Sequence, residues 1–355
     1  MKFSIITVCL NSQATIEKAI QSVISQDFAD KEYIIVDGGS TDETVNIIKK
    51  YDKYISKWIS EKDHGIFDAM NKGIGMATGE VIAFLNSDDW YLEGALTAVD
   101  RVFRMNDCDC VYCDNKVIDQ NGKCIYFDAS NSDVEDMYKR MICYHSAVFA
   151  QKALFRRKDN FDLKYKIAAD YDWILREIKK GAKLVYLHKP VFTFCYGGIS
   201  SVNELECANE ARKISLYHLP ANKENYIEDI NNRYYAIISR AVNGKWLNNQ
   251  FHAVINDRNS IVLWGAGFRG EQFLSLLCKA NLSVAAVIDK DEEKWGRYIN
   301  GIRIYEPEFL SGKTVCVIIT PDNSVEQIKG EIKQIQGSFI VYSLEEIWEC
   351  MINNG

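Results

Sequence analysis

Two adjacent carboxylates, Asp88 and Asp89, follow the apolar run Val81 to Leu85 with only Asn86 and Ser87 between them. Such a run reads as a fully buried strand of a mostly parallel sheet. Acids released at the C-terminal edge of that strand stand where open α/β sheets place their ligands. Hard divalent cations take oxygen ligands, and Mg²⁺ is commonly held by one or two carboxylates together with substrate phosphates. An ordinary acidic turn accounts for Ser87-Asp88-Asp89 equally well, since Ser and Asp are turn residues. The neighbours decide. Asp37 closes another apolar run, Tyr33 to Val36; Asp68 and Lys72 lie in a polar segment over 61–73; Asp170 and Asp172 stand at the start of a helical pattern. Near the C-terminus Gly265, Gly267 and Gly270 follow a third buried run in the pattern G-x-G-x-x-G. Asp289 ends the next run roughly 20 residues on, which completes a dinucleotide-binding fingerprint.

The elements that must hold these residues are legible from periodicity. Phe3 to Leu10 is a β-rich run turning over at Asn11-Ser12, and Ile16, Ala19, Ile20, Val23 and Ile24 continue at helical spacing. After Asp37-Gly38-Gly39, Ser40 and Glu43 have the spacing of a capping box for the next helix. Two βα units in series predict a parallel sheet with a ligand cleft along its C-terminal edge. Ile66, Ala69, Met70, Ile74 and Ala77 keep one apolar helix face, which leaves Asp68 and Lys72 on the other. For isolated charges a solvated face is the plainer explanation. Trp173, Ile174, Leu175 and Ile178 form the buried side of a helix ending at Lys179-Lys180-Gly181, with Asp170 in its first turn. There an N-terminal carboxylate is favoured by the helix dipole whatever its chemistry. Leu184 to Leu187 and Val191 to Phe194 read as two short strands around Pro190.

Composition narrows the function classes. The chain has 355 residues, 47% of them hydrophobic, a formal charge of −7 and eleven cysteines. The negative charge and the lack of a basic stripe argue against nucleic acid as partner, because duplex affinity is mostly cationic. An odd number of scattered cysteines fits reduced thiols in a cytosol better than a disulfide framework. Cys108, Cys110, Cys113 and Cys124 do not follow paired zinc spacings. No apolar run approaches the roughly 18 residues of a membrane span.

Several motifs in order then carry a resemblance: strand-Asn11, Val36-Asp37-Gly38-Gly39-Ser40-Thr41-Asp42, Asp68-Ala69-Met70-Asn71-Lys72-Gly73, Ala77-Thr78-Gly79-Glu80 and Asn86-Ser87-Asp88-Asp89. Over roughly its first 200 residues the chain resembles glycosyltransferase family two, inverting enzymes of the GT-A fold, and the bacterial members that build surface polysaccharides in particular. The resemblance implies a donor side made of Thr7, Asn11, Asp37, Asp68, Lys72 and Asp88, with Asp37 accepting from a uracil ring and Asp88 contacting the ribose. It implies Asp89 as ligand of a Mn²⁺ or Mg²⁺ ion that bridges the donor diphosphate, and Asp170 as the base, with Asp172 as runner-up. Relatives often carry Asp where this chain has Asn86, and Glu-Asp where it has Ala169-Asp170. By the same analogy His145 faces the acceptor, and the segment from Tyr196 through Gly197-Gly198 is a lid.

The expected organisation is α/β. It comprises a GT-A nucleotide-sugar-binding domain with a mixed, mainly parallel sheet over 1–204, a helical connector over 205–256, and a small Rossmann-like α/β domain over 257–355. The last would bind a nucleotide at Gly265, Gly267, Gly270 and Asp289 or serve for dimerisation. The expected activity is metal-dependent transfer of a hexosyl or N-acetylhexosaminyl group from a nucleotide sugar, a uridine diphosphate (UDP) sugar, to a saccharide or lipid-linked acceptor. The expected place is the cytoplasm, with peripheral attachment to the inner membrane face and homo-oligomerisation left open. The rival readings are an NAD-dependent oxidoreductase and a non-catalytic sugar-nucleotide-binding protein, both centred on the C-terminal domain.

Overall fold

A computed structural model describes residues 1–118, 124–127, 133–156, 160–195, 197–198, 203–241, 260–321 and 324–347. The chain divides into two compact units, Met1–Ile230 and Asn231–Gly355. In the first, β1 (Phe3–Cys9), β2 (Lys31–Asp37), β3 (Lys57–Ser60) and β4 (Val81–Phe84) run parallel. Beyond β4 the sheet continues through β8 (Val148–Gln151), β6 (Cys110–Ile118), β9 (Leu184–Cys195) and the short β5 (Trp90–Tyr91), in the order β3-β2-β1-β4-β8-β6-β9-β5. β7 (Cys124–Phe127) pairs with β6 alone. The β4–β8, β8–β6 and β9–β5 pairings are antiparallel and β6–β9 is parallel, so the sheet is mixed.

Both faces of this sheet are covered, which is why its central strands are apolar throughout rather than alternating. Phe3, Ile5 and Cys9 of β1 point into one core with α1 (Ile16–Ile24), α2 (Thr44–Lys50) and α4 (Ala95–Met105). Ile6 and Val8 point into the other, with α3 (Ile66–Met76) and α5 (Ala169–Lys179). Gly73 lets α3 lie directly on β1, since a Cβ there would stand 2.4 Å from Ile6. The segment read as two strands around Pro190 is one twelve-residue strand. Pro190 sits opposite Asp114, at the register shift of the β6–β9 ladder. A residue without an N–H is tolerated at such an irregularity.

At the edge of the sheet away from the cleft, the buried carboxylate of Glu32 accepts from Ser4 Oγ, from the backbone N–H and hydroxyl of Thr78, from Gly79 N and from Lys2. The Ala77-Thr78-Gly79-Glu80 motif is therefore part of the sheet's foundation. The stretch read as the start of a connector contains α6 (Glu204–His218), which packs through Ile214 into the α3/α5 core, and α7 (Tyr226–Ala241) follows it.

The second unit holds β10 (Ser260–Trp264), β11 (Val284–Ile288), β12 (Tyr298–Ile299), β13 (Ile302–Tyr305), β14 (Thr314–Ile319) and β15 (Ser338–Ser343) in the order β12-β13-β11-β10-β14-β15. All pairings but β12–β13 are parallel. Its own core joins Val262, Trp264, Ala286, Ile288, Val317 and Ile319 to Ile328 and Ile332 of α9 (Val325–Ile332), and α8 (Phe268–Lys279) follows β10 through the glycine loop. No helix among the described residues is long and apolar enough to cross a membrane.

Candidate active site

The loops after β1 and β2 are tied to each other before any ligand arrives. Asn11 adopts a left-handed backbone (φ 49°), which Asn tolerates better than most residues. Its Oδ1 accepts from Thr41 N at 2.9 Å, its own N–H donates to Ser40 Oγ at 2.7 Å, and Ser12 N donates to Thr44 Oγ1 at 2.7 Å. The capping box expected at Ser40 and Glu43 does not form. Ser40 is drawn to Asp37 and Asn11, while the first turn of α2 is capped by Asp42, whose Oδ1 accepts from Thr44 N at 3.0 Å.

Asp37 is fully buried at the end of β2. It accepts from Gly39 N at 3.1 Å, Ser40 N at 2.9 Å and Ser60 Oγ at 2.6 Å, and also from Ser40 Oγ. Four donors fill the usual capacity of a carboxylate. Asp37 therefore shapes this loop from the end of β2. Thr7 is likewise a core residue: it is fully buried on β1 and accepts from the Tyr33 hydroxyl at 3.0 Å. Asp68 and Lys72 lie one turn apart on α3. Lys72 Nζ lies 2.9 Å from Glu61 and 3.4 Å from Asp68, and Asp68 also accepts from His64 N. Those acids, Glu61 first, hold the Lys72 ammonium above its ordinary pKa.

The expected base and the expected metal ligand are joined by a chain of hydrogen bonds. Asp170 Oδ2 lies 3.0 Å from His145 Nδ1, His145 Nε2 lies 3.1 Å from Asn86 Oδ1, and Asn86 Nδ2 donates to Asp89 Oδ2 at 3.3 Å. The Asp89 carboxylate fixes which way the Asn86 amide points, because only the NH₂ end can donate to it. The two imidazole nitrogens thus face the Asp170 carboxylate and the Asn86 amide oxygen. Burial lowers the His145 pKa, but Asp170, Asp89 and Asp88 together raise it above the usual value.

Asp89 is 1% exposed and accepts also from Ser146 Oγ and Cys195 N, each at 3.2 Å. Burial, then the neighbouring Asp88, pushes its carboxyl up to about 7. Asp88 is also raised, by burial first. Gly198 lies over it, since a Cβ there would stand 2.9 Å from Asp88 Oδ2. Tyr196 lies outside the described residues.

Asp172 is removed as an alternative base. It is buried, and its two oxygens are held by Arg176 at 2.8 Å and His218 at 2.8 Å. Burial would raise its pKa, but those two partners hold it below the usual value. Cys108, Cys110 and Cys113 are buried free thiols, and no cluster of three or more His, Cys, Asp or Glu that could hold a metal occurs among the described residues.

In the second unit the glycine loop is explained largely by packing. Gly265 has φ +118°, and a Cβ on Gly270 would stand 1.9 Å from the Gly265 carbonyl oxygen. Gly267 faces open space, with nothing within 4 Å of a Cβ. Asp289 Oδ2 accepts from Ala266 N at 2.7 Å and pairs with Lys294 at 3.2 Å, while Oδ1 accepts from Asp291 N at 2.9 Å.

Sequence reasoning missed Ser146, whose partner Asp89 lies 57 residues away along the chain, and the contact between Asn86 and His145, 59 residues apart. No local pattern signals such contacts.

Comparison with known proteins agrees with this geometry. The model of glycosyl transferase family 2 matches residues 4–189, and a model described as C2185-like, N-terminal, matches residues 257–338. A PGL/p-HBAD biosynthesis glycosyltransferase of Mycobacterium bovis is 33% identical over 206 residues, which cover 56% of this chain and 79% of that protein. Chondroitin synthase of Escherichia coli is 28% identical over 239 residues, covering 64% of this chain and 32% of the synthase. Among solved structures, S. aureus TarS 1–349 in complex with UDP superposes with a TM-score of 0.54 at 22% identity, covering 70% of this chain and 78% of that one. The mannosyltransferase PcManGT of Pyrobaculum calidifontis, in complex with GDP-Man and Mn²⁺, gives 0.51 at 14% identity, covering 66% and 69%. At these identities the structural likeness speaks for a GT-A fold. With the family model spanning more than half its length, the chain belongs to glycosyltransferase family 2.

Proposed function

We propose that this glycosyltransferase moves a hexosyl or N-acetylhexosaminyl group, with inversion, from a UDP-sugar to a saccharide or lipid-linked acceptor in cell-surface polysaccharide synthesis. The observation that carries this reading is the chain Asp170–His145–Asn86–Asp89. It links a candidate proton acceptor to a buried acidic pair through His145 and Asn86. Inverting transfer needs both: a carboxylate to take the acceptor hydroxyl's proton, and stabilisation of the departing nucleoside diphosphate. The UDP and UDP-GlcNAc complexes of TarS support the choice of donor.

Asp170 would receive the proton. Its Oδ1 is steadied by Tyr171 N at 2.8 Å, and its Oδ2 lies 3.0 Å from His145 Nδ1. His145 thereby fixes the direction of the carboxylate. Lys72, midway along α3, would add positive charge on the donor side. A divalent cation fits Asp89, with Asp88 beside it. Both carboxyls are raised by burial, which a bound cation would relieve, and their Oδ atoms are the hard donors that Mn²⁺ and Mg²⁺ prefer. When bound, the ion would supply Lewis-acid stabilisation of the leaving diphosphate.

The second unit is read as a Rossmann-like domain. Gly267 leaves room for a phosphate to approach, but Asp289 already serves Ala266, Asp291 and Lys294, with which a ribose hydroxyl would compete. That arrangement disfavours the oxidoreductase reading.

The test is Asp170→Asn, with UDP release followed across a panel of UDP-sugars and acceptors. Turnover is expected to fall by roughly 10²–10⁴-fold. Stabilisation by UDP with Mn²⁺ should persist. Undiminished turnover would take Asp170 out of the mechanism.

A further inference from the structure

The helix that carries Asp170 has no side-chain cap of its own: Ala168 occupies the N-cap position. The backbone ahead of it is held from elsewhere. Glu210 on α6 accepts from Lys166 N at 2.7 Å through Oε1, and from Ile167 N and Ala168 N, each at 2.9 Å, through Oε2. Three successive N–H groups thus close on one carboxylate immediately before the catalytic turn. On the far side of Asp170, α6 grips the next two residues as well. Ser215 Oγ lies 2.7 Å from the Tyr171 hydroxyl, and His218 Nε2 lies 2.8 Å from Asp172. That α6 runs alongside the base is seen again at Cys207, whose thiol is pushed up to about 12 by burial first and then by Asp170 and Glu210. This helix lies beyond residue 189, where the match to the family model ends.

We infer that Glu210 is a positioning residue for Asp170, fixing through the 166–168 backbone the direction in which the base enters the cleft. The inference rests on Asp170 being the base. The physical reason is that Glu210 touches no reacting group, while a misplaced reacting geometry is costly even when the cause is remote. Charge and shape both matter, because each carboxylate oxygen already serves a donor. A Gln would turn its NH₂ toward at least one N–H, and an Asp would fall short by a methylene.

The test uses the full chain with Glu210→Ala, Glu210→Gln and Glu210→Asp, read in three ways. Turnover of the UDP-sugar found in the panel gives kcat and donor KM; thermal unfolding gives stability; NMR titration of the His145 ring, assigned through His145→Gln, reports how near the Asp170 carboxylate remains. For Glu210→Ala, kcat is expected to fall by up to about 10²-fold with donor KM changed less than about twofold. The His145 midpoint should move down, and Glu210→Asp should recover part of both losses. Native kcat and a native His145 midpoint in a folded variant would overturn the proposal, as would a loss of stability alone. Should Glu210→Ala not fold, Glu210→Gln, which keeps one acceptor oxygen, carries the same readouts. Asp170→Asn separates the two ideas: if it turns over normally the base assignment has failed, whereas the His145 midpoint tests the clamp without reference to turnover.

Discussion

At position 86 an amide makes two contacts that a carboxylate could not make together. Its oxygen receives a proton from His145 while its nitrogen donates to Asp89. A carboxylate there would still accept from His145 but would meet Asp89 as a like charge. The same exchange would restore a second hard ligand beside Asp89. Asn86→Asp is therefore expected to tighten Mn²⁺ binding in the presence of UDP on the order of tenfold, about 1.4 kcal/mol. Calorimetric titration measures it, and an unchanged affinity would show that the second carboxylate does not reach the ion. At this scale the sequence identified which residues matter better than what they touch. Asp89, Asp170 and His145 lie in one hydrogen-bonded chain, while Asp37 and Thr7 also hold the fold together through Ser40 and Tyr33. A motif marks a position. Whether its polar atoms remain free depends on neighbours such as Ser60 and Tyr33, which the motif does not contain.

Among elements, β1, β2, β4, α1, α3 and α5 were legible because each carries an uninterrupted period of its own. The capping box at Ser40 and Glu43 was not, because a tertiary partner, Asp37, outcompeted the local one for Ser40. Nor was the continuity of β9 legible, since Pro190 reads as a break unless the bulge opposite it is known. The closest dependence of an element on one side chain is at Glu32, which joins β1, β2 and the turn before β4. Burial alone would raise its pKa, but Ser4, Thr78 and Lys2 outweigh it and bring it to about 2, from 4.5. The folded value is depressed, so the stabilisation is complete above the ordinary glutamate range and is lost as pH falls toward the folded pKa. It amounts to roughly 3 kcal/mol at neutral pH. Glu32→Gln should lose most of that at pH 7. Its stability measured in urea should also fall less steeply between pH 4.5 and 2 than that of the native chain. Parallel curves would mean that Glu32 is not the group titrating there.

On the scale of the whole molecule, the two units each have a core, and each was foreshadowed by a different regularity. Acids at strand ends marked the first, and the spacing of three glycines marked the second. A ligand that binds only the folded chain stabilises it by mass action, about 2.7 kcal/mol at a hundred times its Kd. For a unit of this size that corresponds to a rise in Tm of roughly 5–10 °C. UDP with Mn²⁺ or Mg²⁺ is expected to produce such a rise, and EDTA to abolish it. NAD should give none. Metal-independent stabilisation by NAD would instead place the nucleotide chemistry in the C-terminal unit.

The three glycines of that unit are not equivalent witnesses. Two of them are required by the chain's contact with itself, so they would persist in any descendant that kept this shape, whether or not it kept a ligand. The middle one borders on emptiness. Among the described residues nothing stands within 4 Å of a Cβ there, and its retention or loss would record whether something outside the polypeptide has been pressing against it.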